Sequence, residues 1–267
     1  MKWIDYTRPE SLDEAVKLLA GGGGKARPMA GGTDLIVLMR VNPDRIGSPD
    51  LVIDVKGVPE LNEISYDVNK GLTLGAAVEC FKVYSDKTVA AKYPGLVDSA
   101  SLIGGIQIQG RASIGGNLCN ATPSADSIPA LIALGATANI MGPNGSRQVA
   151  VEDFCTGPSK TVLGSDELLV SLNIPAPQSN GGARYIRFIP RNEMDIAVAG
   201  VGVSVVLGNG TFKAARIALA SVGPTPLFVK EAGESLVGKP VNDDSIAEAA
   251  QLAKEAATPI NDMRGTV

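Results

Sequence analysis

The sequence predicts an α+β protein built as two domains. Three observations carry this reading. Short β-branched runs and amphipathic helical runs are interspersed over the first 176 residues. A Pro- and Gly-rich stretch from Pro175 to Gly182 then breaks the pattern. Beyond it come three consecutive strand-like runs and two helical ones, a meander backed by helices. The expected domains are residues 1–176, divided into lobes at about 1–57 and 58–176, and residues 182–267.

In the first lobe, Ser11 to Ala20 places Leu12, Ala15, Val16, Leu18 and Leu19 at helical spacing. Ser11 is the expected N-cap, and Glu14 completes a capping box. Gly21 to Gly24 ends this helix. A strand over Ala26–Ala30, a Gly-Gly turn, a helix over Asp34–Arg40 and a strand over Leu51–Val55 make a small β-α-β-like unit.

In the second lobe, Ile64–Tyr66 and Leu72–Leu74 read as a hairpin. Val78–Asp98 reads as helix interrupted near Pro94, Ser113–Asn117 as a turn, and Ile128–Leu134 as a helix. Thr137–Met141, Gln148–Val151 and Leu168–Ile174 read as strands. In the second domain, Arg184–Ile189, Ala197–Leu207 and Ala214–Ser221 form the expected three-stranded antiparallel sheet. Gly208-Asn209-Gly210 supplies its hairpin turn. Helices are expected near Pro226–Leu236 and Ser245–Ala257.

Composition narrows the chemistry. A net charge of −4 gives no reason to expect nucleic acid or an anionic membrane as partner. Gly, Pro or a charge cuts every apolar stretch short of a transmembrane span, and Asp5 sits where a signal peptide would be apolar. A cytoplasmic location is the expectation. Cys80, Cys119 and Cys155 are too widely spaced for a disulfide framework or a metal knuckle, and are expected to be buried thiols. The sequence has 0 histidines, which excludes a Ser-His-Asp triad and a His-ligated zinc. No metal site is expected in this chain. If it is an enzyme, a cofactor does the hard chemistry.

Two Gly-rich segments stand out. Pro28, Met29, Ala30, Gly31, Gly32, Thr33, Asp34 and Leu35 run from strand through Gly-Gly into helix. Paired glycines expose consecutive N–H groups, Thr33 can cap the helix, and a helix start suits an anion such as pyrophosphate. Ser113, Ile114, Gly115, Gly116 and Asn117 repeat the Gly-Gly pair between two polar side chains. Each alone reads more readily as an ordinary tight turn, whereas two in one chain can clamp one diphosphate. Asp126 is either an acceptor for ligand hydroxyls or the N-cap of the next helix. Valine at Gly31 or Gly115 is expected to repel the diphosphate while the fold survives. Gly200-Val-Gly202 lacks the third glycine of a dinucleotide fingerprint and reads as sheet packing.

AGGTDL at Ala30–Leu35 and SIGGNLCNATPSADSIPALIALGA at Ser113–Ala136 resemble the two FAD-binding signatures of the molybdenum hydroxylase flavoprotein subunits. These are the medium subunits of carbon monoxide dehydrogenase and of its xanthine-dehydrogenase-like relatives. Tyr6–Ala15, Glu167–Pro175 and Arg191–Ala197 extend the resemblance over nearly the whole chain. It implies a two-lobed FAD domain of the vanillyl-alcohol-oxidase (PCMH) type and a smaller C-terminal domain. It further implies that Ala30–Leu35 and Ser113–Asn117 hold pyrophosphate and ribityl, and that Asp126 touches the polar part of the cofactor. Leu169 would line the isoalloxazine pocket. Ile103 falls where the family can place an aromatic against the flavin. Arg187 falls where some relatives have lysine near the ring, and reads otherwise as a surface arginine. Tyr185 is a candidate ring neighbour. The chain ends at Val267, where relatives continue through a further helix. No cysteine cluster matches the branch that carries an extra iron–sulfur centre in this subunit.

The implied role is electron transfer within a hetero-oligomer. A large subunit carries the molybdenum cofactor, a small subunit carries 2Fe-2S clusters, and non-covalent FAD in this chain passes electrons to a quinone, NAD or oxygen. No side chain is expected to be catalytic. Two other readings are a self-contained FAD-dependent oxidoreductase of the same superfamily and a non-enzymatic nucleotide-binding module.

Overall fold

The computed structural model describes residues 3–191 and 194–267. Asn192 and Glu193, within the Arg191–Ala197 segment, lie outside the described residues, as do Met1 and Lys2.

The first lobe runs β1 (Asp5–Thr7), α1 (Leu12–Gly21), β2 (Ala26–Met29), α2 (Leu35–Val41) and β3 (Leu51–Asp54). Its strands form a parallel sheet in the order β1-β3-β2, with Ile53 paired to Thr7 on one side and Pro28 on the other. Helix α1 lays Ala15, Val16 and Leu19 into a core shared with Ile53, Val55 and Leu61. Ser11 caps it, accepting from Glu14 N at 3.3 Å. The expected capping box is altered, since Glu14 Oε2 accepts from Glu10 N at 3.2 Å. Helix α2 departs from expectation at its start. Asp34, not Thr33, is the N-cap residue, and its carboxylate makes no capping bond.

The second lobe follows with β4 (Ile64–Asp67), β5 (Gly71–Gly75), α3 (Cys80–Ser85), α4 (Lys87–Lys92), α5 (Pro94–Ala100), α6 (Ile106–Gln109), α7 (Ile114–Asn120) and α8 (Ser127–Ala133). It ends with β6 (Thr137–Gly142), β7 (Gly145–Ala150), the short pair β8 (Cys155–Gly157) and β9 (Lys160–Thr161), and β10 (Leu168–Ile174). The main sheet has the order β4-β5-β10-β6-β7 with antiparallel pairing throughout. Its core joins Leu72, Leu74, Leu172 and Ile174 to Ile114, Leu118, Ile128 and Leu131. The expected helix with one interruption is three helices. Asp86 accepts from Thr88 N at 2.8 Å and Val89 N at 2.9 Å and so begins α4, while Pro94 opens α5. Ser113–Asn117 is likewise not a turn: Gly115 and Gly116 lie in the first turn of α7.

The C-terminal part contains β11 (Gly181–Phe188), β12 (Ala199–Gly208), β13 (Thr211–Ala220), β14 (Leu227–Phe228), α9 (Lys230–Leu236) and α10 (Asp243–Ala256). The sheet order is β11-β12-β13-β14, so the expected three strands gain a fourth. β14 takes two residues the sequence assigns to the following helix, because Leu227 and Phe228 pair with Leu219 and Ala218. The hairpin at Asn209 (φ 53°) and Gly210 (φ 74°) has the two positive φ values of a type I′ turn.

The two parts meet on α8, whose residues are all buried. Gly202 lets β12 approach closely, since a Cβ there would sit 2.3 Å from Pro129 O. Arg216 Nε donates to Ile132 O at 2.9 Å, and Ser204 Oγ donates to Ala133 O. The last carbonyls of α8 are therefore satisfied by the C-terminal sheet, as a buried helix end requires.

Candidate functional site

The first Gly-Gly pair follows directly on β2, at the carboxyl end of a parallel strand, a position that opens onto a crevice. Gly32 has φ +75°, which favours glycine. The second pair opens α7, where Ser113 Oγ accepts from Gly116 N at 3.0 Å.

The structure brings the two segments together. A Cβ on Gly31 would lie 2.1 Å from Arg111 O and 3.0 Å from Ala112 N. Arg111 Nε donates back to Gly31 O at 3.4 Å. Cys80 N donates to Ala112 O at 2.8 Å, and Glu79 bridges to Ser113, so the RAS segment is tied to the second lobe. The junction between the lobes is where the loops meet.

The four glycines divide by what they face. Gly31 packs on Arg111, and a Cβ on Gly115 would lie 2.5 Å from Ala76 O and 2.6 Å from Ala76 Cα. Both are glycine because protein backbone occupies the space. The expectation that valine there spares the fold is therefore corrected. Gly32 and Gly116 are different. Their nearest neighbours are side-chain atoms, Ile36 Cδ1 and Met29 Sδ for Gly32 and Ser113 Oγ for Gly116. Only side-chain atoms, and no backbone of another segment, crowd these two.

Both signs of charge stand around the junction. Arg111 is exposed beside Gly31. Glu79 is held by Lys56 Nζ at 2.7 Å and Lys82 Nζ at 3.0 Å. Burial opposes its charged form, but the two ammonium groups outweigh burial and bring its carboxyl down to about 2. Tyr6 Oη donates to Asp54 Oδ2 at 2.7 Å, one strand away from Met29.

Asp126 is held by protein groups that neither reading of the sequence named. It stands at the N-cap position of α8 but makes no capping bond. Its Oδ1 accepts from Tyr185 Oη at 2.8 Å, and its Oδ2 accepts from Arg187 Nη1 at 2.9 Å. Arg187 is no surface arginine, since its side chain is 5% exposed. Its Nε is buried and has no hydrogen-bond partner. An unmet buried donor costs about 1–3 kcal/mol, which an acceptor from a ligand would recover. Tyr185 is buried, with its ring across β12 such that a Cβ on Gly200 would touch its hydroxyl at 2.6 Å. Asn117 connects this cluster to α7, because its Oδ1 accepts from Ser127 Oγ at 2.6 Å and Ser127 N at 3.3 Å.

The apolar candidates sit inward. Ile103, Ile114 and Leu169 are all buried and belong to the core of the second lobe. Leu169 stands at the bulge between Leu169 and Ser171 in the pairing of β10 with β6. Pro28, Met29, Ala30, Thr33 and Leu35 line the first loop, where Pro28 is exposed and the others are half-buried. Arg111 was not singled out from sequence, where its one signal is its position two residues before Ser113. Cys80 is buried as expected and Cys155 is half-buried; Cys119 is exposed as a residue, but burial of its thiol pushes it up to about 12.

The residues fit a dinucleotide cofactor with a diphosphate bridge. Two glycine-bearing segments share one junction, a guanidinium stands beside them, and a buried N–H lacks an acceptor. Comparison with known proteins agrees. The family model for the FAD binding domain in molybdopterin dehydrogenase matches residues 2–177, and that for the CO dehydrogenase flavoprotein C-terminal domain matches residues 184–267. The chain is 34% identical to the carbon monoxide dehydrogenase medium chain of Afipia carboxidovorans, over 98% of this chain and 89% of that one. It is 30% identical to the xanthine dehydrogenase FAD-binding subunit of Escherichia coli O157:H7, over 99% and 89%. Among solved structures, carbon monoxide dehydrogenase from Hydrogenophaga pseudoflava superposes with a TM-score of 0.93 at 32% identity, covering 99% of this chain and 90% of that one. Quinoline 2-oxidoreductase from Pseudomonas putida 86 gives 0.88 at 32%, covering 100% and 91%. The chain belongs to the FAD-binding medium subunits of the molybdenum hydroxylases, a family of oxidoreductase components.

Proposed function

We propose that this chain is the electron-transfer subunit of a molybdenum hydroxylase complex, holding FAD non-covalently at the junction of its two lobes. The observation that carries the reading is the packing of Gly31 on Arg111, which sets two glycine-rich segments side by side. In this reading Gly32 and Gly116 admit the pyrophosphate, and Ser113 and Asn117 stand beside the ribityl chain. Asp126 accepts from cofactor hydroxyls, and Arg187 Nε donates to a flavin acceptor. Bound FAD would supply a two-electron store that can be filled and emptied in single steps. This chain's residues bind the cofactor and orient it, and their buried cation favours electron density near the ring.

The proposed partners are a large subunit with the molybdenum cofactor and a small subunit with 2Fe-2S clusters. The medium-chain and FAD-subunit names of the relatives support such an assembly. The external acceptor would be a quinone, NAD or oxygen. Residues 1–176 would form the FAD module and 182–267 the smaller one, with β11 and α8 as their joint. No described helix is long and apolar enough to cross a membrane. Three free thiols suit a reducing compartment, and we assign the cytoplasm.

The test is to purify the chain from its native host with whatever binds it. Flavin should be extractable with acid, and molybdenum and iron should track with the co-purifying chains. A yellow preparation reduced by a small substrate in the absence of any other polypeptide would point instead to a self-contained oxidoreductase.

A further inference from the structure

The Tyr185 hydroxyl has a partner, and that partner is Asp126. The two meet across the joint between α8 and β11, at 2.8 Å and in full burial. Arg187 Nη1 takes the other carboxylate oxygen at 2.9 Å. One residue along, Ser127 is bonded to Asn117 on the helix that carries the second Gly-Gly pair. The C-terminal sheet thus grips a residue of the larger module that stands beside the cofactor segment. We propose that Tyr185 is a positioning residue which keeps the Asp126 carboxylate charged and aimed at the cofactor, so that the smaller domain sets how tightly the larger one holds FAD. This rests on the flavin reading above.

The surroundings support it. Burial pushes the Asp126 carboxyl up from the usual range, and the Arg187 charge and the Tyr185 hydroxyl work against that push. Other charges near this joint are already engaged. Asp98 on α5 accepts from Tyr185 N at 3.1 Å and pairs with Arg184. Arg216 on β13 pairs with Glu152 at the far end of α8, and Lys213 on β13 is exposed. Strands β12 and β14 bring no charged side chain. A buried carboxylate held this way accepts well only while ionised, and removing one hydrogen bond to its charged form raises its pKa further.

The experiment is FAD titration of the apo form of the full chain by flavin fluorescence, across pH, with wild type, Tyr185→Phe, Arg187→Gln, Asp126→Asn and the Tyr185→Phe/Asp126→Asn pair. Phenylalanine keeps the ring on Gly200 and removes the hydroxyl alone. The acid limb of FAD affinity should move up by about one pH unit in Tyr185→Phe and further in Arg187→Gln. On the Asp126→Asn background, Tyr185→Phe should leave the profile where it is. A Tyr185→Phe profile equal to wild type, or lowered evenly at every pH, overturns the proposal. So does a Tyr185→Phe chain that does not fold, since the hydroxyl would then be a structural requirement. A wild-type chain that takes up no FAD at any pH overturns the flavin reading itself, a different result from binding with an unmoved profile.

Discussion

Gly31 and Arg111, 80 residues apart in sequence, are in backbone contact, and Arg111 Nε returns a hydrogen bond to the Gly31 carbonyl. This contact sets the two loops side by side. It also separates glycines packed on backbone, Gly31 and Gly115, from glycines that meet only side chains, Gly32 and Gly116.

Gly31→Ala should therefore weaken the protein itself. A methyl group 2.1 Å from Arg111 O forces the backbones apart, and overpacking of this kind costs about 1–3 kcal/mol. Urea unfolding of the apo chain should show the loss without any cofactor present, and Gly115→Val should do the same against Ala76. Unchanged midpoints in both would place these glycines on the ligand side after all.

Glu79 gives a pH signature. Its carboxyl lies at about 2 in the folded chain against 4.5 unperturbed. A lowered folded value means stability that is present above pH 4.5 and lost as pH falls toward 2. Lys82 is largely exposed, so solvent screens its share, and about 1–2 kcal/mol is the expected contribution. The gap in unfolding free energy between wild type and Glu79→Gln should be open at about pH 6 and close only below about pH 2. A gap that is constant with pH would show that the carboxylate charge is not what the lysines stabilise.

Ile103→Phe should not build a flavin platform. The side chain is 7% exposed within the second lobe's core, so the added bulk meets protein. A stability loss of about 1–3 kcal/mol is expected, with no change in the spectrum of bound flavin. A new charge-transfer band or stronger quenching of bound flavin would mean that the ring reaches the cofactor.

Ser113→Ala should cost about 1 kcal/mol through the lost cap on Gly116 N. Thermal melts of the apo chain measure it. An unchanged melting temperature would mean that water caps α7 as well as the hydroxyl does.

Much of this architecture was readable beforehand because its signals are local. Ser11 and Glu14 mark the start of α1, and Asn209-Gly210 marks a type I′ turn, each through the φ/ψ or capping demand of a few adjacent residues. The misreadings arise where distant residues decide. β1 and β14 are three and two residues long and exist because β3 and β13 offer them edges. Gly115 and Gly116 lie in a helix despite low helix propensity, because Ser113 caps the turn and Ile114 and Leu118 anchor it in the core. Asp126 kept two readings open in sequence. Neither included Tyr185 and Arg187, some 60 residues away, as the groups that hold its oxygens. That the two Gly-rich segments lie together was foreseeable, but the pairing of Gly31 with Arg111, and which glycines touch protein backbone, was not.

The central claim is that one diphosphate enters where the Gly32 and Gly116 segments converge, and FAD titration of wild type beside Gly116→Val tests it most directly. A valine there meets Ser113 Oγ at 2.9 Å and no backbone of another segment, so the apo chain should fold and lose about as much stability as Ser113→Ala, about 1 kcal/mol. FAD affinity should fall at least about tenfold, a loss of about 1.4 kcal/mol, and ADP should compete with FAD for the wild-type site. Equal FAD affinity in the two proteins, with ADP failing to compete, would contradict it.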